Sequence, residues 1–301
     1  MNATFFTVIN PVAGHGRCRR EAGAELDRLR AAGVRLEVVE TQHAGHGSAM
    51  VREAYRNGFR RFLAVGGDGI SYEIVNGLFP GAEAGERPTL AILPLGTGNS
   101  FLRDFTIERE SEYATRAIVE GRSRPCDVLR MKHRDGIIHY INLLSVGFAA
   151  DAAAVTNRKY KRWGHLGYLL GVFTCLVKLD RRPFPHRLDG EPEWDRRPCL
   201  FLTFNNSKFT GRTMMIAPNA DTSDGLIEYV RWGPIGRIGL IANLRTLYDG
   251  SHVCHPLASR RPIRHVDFAL DAPVDVMVDG EVLTLHCESL DVLPSALQVM
   301  V

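Results

Sequence analysis

The sequence predicts an α/β plus β protein: an N-terminal three-layer Rossmann-like parallel-sheet domain followed by a C-terminal antiparallel β-sandwich domain. Three observations carry this expectation. Residues 4–10, 34–40, 62–65 and 89–93 are apolar or alternating runs, each giving way to a turn and then to a stretch of helical spacing. Strand and helix in alternation make a parallel sheet covered on both faces, with ligands at the carboxyl ends of its strands. From Asp127 onward the texture changes to short alternating runs separated by Gly, Pro, Asn and Asp, at 128–132, 137–144, 199–204, 213–216, 226–230, 266–270, 274–278 and 281–286. That spacing reads as a sandwich, interrupted by helical stretches near 164–179 and 235–249. A chain of 301 residues can hold two cores, and domains at 1–125 and 126–290 are expected, with 291–301 packing back on the first.

Composition excludes several function classes. The 45% hydrophobic and 24% charged content is that of an ordinary globular protein, and a formal charge of +3 is too small to argue for nucleic acid. Residues 4–10 lack the charged start and cleavage site of a signal peptide, and the longest apolar stretch, 168–177, is about half of a membrane span. Six cysteines are scattered without a CxxC pair or zinc spacing, which fits reduced thiols in a cytoplasmic protein.

Taken in order, the first domain places a glycine turn after most of its strands. Residues 10–16 read NPVAGHG and lead into a helix whose Ala22, Leu26 and Leu29 recur at helical spacing; 41–47 read TQHAGHG; 66–76 read GGDGISYEIVN; 94–99 read PLGTGN. Glycines at a strand-to-helix turn let the backbone approach a ligand while the helix N-terminus offers free N–H groups, a geometry suited to phosphate. Asp68 would repel that phosphate unless a divalent cation lay between, so it implies Mg²⁺ or an acid/base role, the alternative being a helix cap in a tight turn. Thr97 and Asn99 add a hydroxyl and an amide on the 94–99 loop. No GxxxxGK[ST] and no GxGxxG occurs.

On NPVAGHG, TQHAGHG, GGDGISYEIVNGL, PLGTGNSFLRDF, INLLSVGFAAD, IAPNADTSDGL and VDGE, in that order over nearly the whole chain, the sequence resembles the diacylglycerol kinase and sphingosine/ceramide kinase family of soluble lipid kinases. The resemblance implies ATP-dependent transfer of the γ-phosphoryl group to a lipid hydroxyl, with lipid entering between the domains. It implies nucleotide binding by Asn10, Gly14, Thr41, Gly66, Gly67, Asp68, Gly69, Gly96, Thr97 and Asn99, with Glu73 and Asn76 supporting the loop. Asp279 matches the aspartate given the general-base role, with Glu281 beside it; the other reading of Asp279 is a hairpin turn, since Asp-Gly between alternating strands signals one. Asp224 and the Leu226 carbonyl, with Asp221, resemble a structural Mg²⁺ site, and Asp151 fills an acidic position of the glycine-aromatic motif.

Two positions depart from the pattern. Ile70 stands where diacylglycerol kinases have threonine, which tilts the expected acceptor toward ceramide or a sphingoid base, and Ser100 stands where many members have aspartate. Residues 151–190 carry eight Lys/Arg and three Asp, with Tyr160, Trp163, Tyr168 and Phe173 interleaved, a composition suited to an anionic membrane surface and hence to a peripheral location. A homodimer is left open. The alternatives are an NAD kinase, which shares GGDG, and a non-catalytic lipid-binding pseudokinase.

Overall fold

A computed structural model describes residues 4–106, 110–160, 164–211 and 213–301. Trp163 of the expected membrane segment lies outside the described residues, as does the side chain of Tyr168. The first domain runs β1 (Phe5–Ile9), α1 (Arg17–Ala31), β2 (Leu36–Glu40), α2 (His46–Arg56), β3 (Arg61–Gly66), α3 (Asp68–Leu78), β4 (Thr89–Pro94) and α4 (Glu110–Glu120). Its strands pair in parallel in the order β2-β1-β3-β4. Successive residues of β3 feed opposite cores: Phe62 and Ala64 join the cluster under α2 and α3, while Leu63 and Val65 join that of Cys18, Ala22, Leu26 and Leu29 on α1. Burial on both faces is why β1, β3 and β4 read as continuous apolar runs, while the partly exposed edge strand β2 alternates.

The second part comprises β5 (Arg124–His133), β6 (Gly136–Tyr140), β7 (Leu143–Gly147), α5 (Phe148–Val155), α6 (Gly164–Lys178), β8 (His186–Leu188), β9 (Phe201–Asn205), β10 (Phe209–Thr210) and β11 (Met214–Met215). It continues through β12 (Ile227–Trp232), α7 (Arg237–Asn243), α8 (Thr246–Asp249), β13 (Ala258–Ile263), β14 (His265–Phe268), β15 (Val274–Val278), β16 (Glu281–Leu285) and β17 (Cys287–Val299). One layer of the sandwich is the antiparallel sheet β13-β12-β9-β7-β15-β16. The other layer continues the first domain's sheet. β17 pairs with β4 in parallel through Gln298 and Val299, and antiparallel with β5 and β14. Between the layers Leu129, Met131 and Leu290 meet Leu144, Val146, Phe204 and Val276.

Three local expectations are corrected. The run 137–144 is two strands in different sheets, because the chain turns at Ile141 and Asn142, whose N–H groups are taken by Asp279 instead of a ladder. The stretch 235–249 divides into α7 and α8. After Ser100 there is only a short 3₁₀ turn, Phe101–Asp104.

Asn76 has a different task from the loop support expected of it. From α3 it donates through Nδ2 to the His139 carbonyl at 2.8 Å and accepts the His139 N–H at 2.9 Å, clamping β6 to the first domain. Leaving both backbone groups of His139 without that amide costs about 1–3 kcal/mol. Asn76→Ala is therefore expected to lower the unfolding free energy measured in urea by about that amount, and with it the midpoint, without altering the far-ultraviolet circular dichroism of the folded state.

Candidate active site

Three glycine loops meet at the carboxyl ends of β1, β3 and β4. The Gly66 carbonyl accepts the N–H groups of Leu95 at 2.8 Å and Gly96 at 2.7 Å. Their backbones then touch: a methyl on Gly96 would stand 2.2 Å from the Gly67 Cα. Gly14, at φ +60°, lies so close to the third loop that a methyl there would come within 2.5 Å of the Leu95 carbonyl oxygen. Asn10 donates its N–H to the Val65 carbonyl at 3.0 Å, and Arg17 reaches the Pro94 carbonyl at 2.7 Å. The fourth loop is tied in by Glu73, whose two carboxylate oxygens accept the N–H groups of Gly45 at 2.9 Å and Gly47 at 2.7 Å. Thr41 hydrogen-bonds the Ile9 carbonyl. The expected residues Asn10, Gly14, Thr41, Gly66, Gly67, Gly69, Gly96 and Thr97 are thus gathered on one rim, with the Thr97 side chain exposed and Glu73 bracing from beneath.

Asn99 is placed otherwise. At φ +53° its buried amide turns inward and donates to the Gly96 carbonyl and to Glu110, both at 3.3 Å, so it holds the loop's shape and does not present its amide on the rim. Ser71 and Ser100 are buried, and Ser100 donates its N–H to Asp68 Oδ2 at 3.0 Å. Ile70, only 2% exposed, packs with Val8, Val51 and Ile74 in the core behind the loop.

The three carboxylates differ sharply. Asp68 opens α3, and burial raises its pKa against the lowering effect of the Ser100 hydrogen bonds. Asp279 is 3% exposed; Oδ1 accepts the N–H groups of Asn142 and Leu143, both at 3.0 Å, and Oδ2 accepts that of Ile141 at 3.1 Å. Burial and the nearby Asp68 charge outweigh these donors and push Asp279 up to about 7. The expectation that Asp279 takes the proton of the acceptor fits this placement poorly, since it is sealed from solvent and committed to three backbone donors. Glu281, two residues on and exposed, faces the GGDG loop, a methyl on Gly69 lying 2.7 Å from its Oε1, while Asp68 Oδ2 lies as close to a methyl on Gly98. Tyr72, on the next turn of α3, has its phenol pKa raised by burial and then by Asp279, Glu281 and Glu73, which places it among these acids. Sequence reasoning missed Tyr72, for a lone tyrosine in a helix carries no signal.

The 221–226 loop is held by its own turns, with Asp221 accepting from Ser223 and Asp224 from the Leu226 N–H at 2.9 Å. Two acids that the sequence did not single out lie beside it. Asp127, fully buried, accepts the N–H groups of Gly225 and Ser295, both at 2.6 Å, and Asp104 accepts that of Lys208. Burial raises Asp104 to about 6 and raises Asp127 and Asp224, with Asp221 adding to all three. Mutually repelling, desolvated carboxylates of this kind suit a hard divalent cation. Among the described residues no three acids, histidines or cysteines converge as a group that could hold a metal ion by themselves. Asp151 is paired with Arg182 at 2.9 Å, away from the glycine loops.

The parallel α/β domain thus brings its glycine loops together at the strand ends, with Glu281 of the sandwich set against Gly69 and Asp68 close enough to Asp279 to raise its pKa. Residues 4–131 match the diacylglycerol kinase catalytic domain and residues 142–301 match the YegS C-terminal NAD kinase beta sandwich-like domain. The chain is 27% identical over 294 residues to a diacylglycerol kinase of Mycobacterium tuberculosis, covering 97% of this chain and 93% of that one. It is 27% identical over 280 residues to a diacylglycerol kinase of Staphylococcus aureus, covering 91% and 84%. A crystal structure from Bacillus anthracis, 20% identical, shares the fold with a TM-score of 0.76 over 99% of this chain and 94% of that one. The chain belongs to the diacylglycerol kinase catalytic-domain family and is a lipid kinase.

The raised pKa of Asp279 gives a signed test. A fold that favours the protonated acid gains stability at low pH and loses it as pH rises from the ordinary carboxylate value through about 7. Asp279→Asn has no such slope, but its amide offers one acceptor where three N–H groups need two and turns a donor toward Ile141, a loss of about 1–3 kcal/mol. The variant should be less stable at low pH, with the gap widest at and below about pH 4 and narrowing or reversing as pH rises through about 7, in urea titrations with a chelator present. A gap that widened toward high pH would contradict this account.

Proposed function

We propose that the protein transfers the γ-phosphoryl group of ATP to the primary hydroxyl of diacylglycerol. The observation that carries this reading is Glu281, an exposed carboxylate of the second domain set against Gly69 at the start of α3. The rim formed by 10–16, 66–69 and 94–99 supplies backbone N–H groups and a helix N-terminus for the nucleotide phosphates, with the Thr97 hydroxyl exposed among them. Bound Mg²⁺ would neutralise phosphate charge as it develops, with Asp68 the residue that fits it at the rim and Asp221 and Asp224, supported by Asp104 and Asp127, the residues that fit it at the second loop.

Phosphoryl transfer passes through a loose transition state, so the protein's main contribution is alignment and charge stabilisation. Glu281 orients the acceptor hydroxyl toward the γ-phosphorus. The acceptor oxygen forms the new P–O bond, the bond to the β–γ bridging oxygen breaks, ADP leaves, and the hydroxyl proton passes late to Glu281. Such a late transfer needs no raised pKa. Asp279 holds the turn that presents Glu281, and Asp68 remains beside the phosphates.

Diacylglycerol is favoured over a sphingolipid. The argument for ceramide rested on Ile70, and a side chain buried behind the loop among Val8, Val51 and Ile74 has no means of reading an acceptor. Both relatives above are named for diacylglycerol. The sandwich half also resembles that of NAD kinases, which keeps NAD as the acceptor to be excluded.

With radiolabelled ATP and diacylglycerol, ceramide, sphingosine, monoacylglycerol and NAD in parallel, diacylglycerol should be turned over fastest; a faster rate with ceramide or NAD would overturn the assignment. Glu281→Gln should reduce kcat by on the order of a hundredfold or more while leaving the melting temperature and ATP affinity nearly unchanged. A near-normal rate in that variant would return the proton-accepting role to Asp68.

A further inference from the structure

The exposed apolar side chains are concentrated in one place. Of the ten large ones that stand exposed among the described residues, six lie on α6 and on α7 with α8: Phe173, Val177, Ile238, Ile241, Leu244 and Tyr248. Ile238 is 86% exposed, the most of any, while Leu240 and Leu247 from the same segment turn into the core. The two segments form one surface. Arg237, at the start of α7, donates to the Val177 carbonyl from Nε at 3.1 Å and Nη2 at 2.6 Å, and Leu179, Leu240 and Leu247 share a core cluster beneath.

Charge on this face has one sign. Residues 164–178 and 235–248 contain Lys178, Arg237 and Arg245 and no Asp or Glu. The nearest acids close the ends and are engaged: Asp180 pairs with Arg182, and Asp249 accepts from Ser251. An apolar face with a cationic rim is the surface an interfacial helix presents to anionic lipid, where apolar side chains sink about 5–10 Å into the headgroup boundary. A monomer otherwise has little reason to keep so many large apolar groups together in water. The face is also near the chemistry. α8 packs on β11, whose hairpin partner β10 touches the Phe101–Asp104 turn that follows the 94–99 loop, and the Arg103 guanidinium stands 6.0 Å from the Phe209 ring centroid.

We propose that the α6–α7–α8 face is where the protein rests on an anionic bilayer, with Ile238 and Ile241 entering the headgroup boundary. The proposal draws on the lipid-kinase reading only in that a diacylglycerol acceptor resides in such a bilayer. The test uses the full chain, without ATP or acceptor, and sedimentation with vesicles of phosphatidylglycerol and phosphatidylcholine. Ile238→Glu with Ile241→Glu, two changes at exposed positions, should lower the bound fraction about tenfold or more. Arg245→Glu should lower it by a smaller factor that vanishes at high salt. Circular dichroism and gel filtration should be those of the parent. Equal binding by parent and double variant would overturn the proposal, as would loss on Arg158→Glu with Lys159→Glu alone. A parent that ignores vesicles but forms a dimer dissolved by the double variant would show that a second copy covers the face. Failure of the kinase reading is seen separately, as absent turnover of a water-soluble short-chain diacylglycerol.

Discussion

The arrangement of the crevice depends on the pairing of β17. This one strand hydrogen-bonds β4 of the first domain at its end, β14 of the sandwich at its start, and β5 along most of its length. A strand cannot swing at such a ladder without breaking N–H···O bonds that would have no replacement in a buried sheet. The domains are therefore not beads on a linker, and Asn76 on His139 adds a second tie close to the crevice.

That rigidity explains how acids can be concentrated in one crevice. Asp279, Glu281 and Glu73 all bear on the Tyr72 phenol, and Asp68 bears on Asp279. A polyphosphate could not approach these groups by charge alone. What would favour it is the N-terminus of α3 together with the 97–99 segment, the Leu95 and Gly96 N–H groups being already held by the Gly66 carbonyl. The close approach of Gly67 to Gly96 gives the reason for glycine at both positions: side chains there would push the two loops apart and open the rim.

Much of this was legible in the sequence, and the limits have physical causes. The strand-turn-helix alternation and the GGDG and PLGTGN loops located the rim because glycine, turn and amphipathic helix are local signals. β17 was not foreseen as a shared strand, since its partners β4, β5 and β14 lie far away in sequence and pairing leaves no local mark. Asn99 was read as offering its amide to phosphate and Ile70 as bearing on the acceptor, whereas Asn99 turns into its own loop and Ile70, on α3, packs into the core. Asp104 and Asp127 escaped notice because their partners are backbone N–H groups of distant residues.

The tetrapeptide from Val278 to Glu281 shows how motif and fold reconcile. Sequence left Asp279 as either base or turn residue; the structure shows it in the hairpin turn between β15 and β16 and gives its carboxyl a further task. For the turn alone Asn-Gly would serve at least as well, since both Asp279, at φ +48°, and Gly280, at φ +89°, adopt the left-handed conformation. Asparagine has one acceptor oxygen, however, and three N–H groups from Ile141, Asn142 and Leu143 converge on Asp279. Only a carboxyl group, with two acceptor oxygens, accepts all three. The same contact stops β6 from continuing into β7 and fixes where β15 ends, and the position of Glu281 against Gly69 follows from both. In this reading the buried acid is retained because it sets the place of the exposed one, and the burial that raises its pKa to about 7 is the energetic consequence of that positioning.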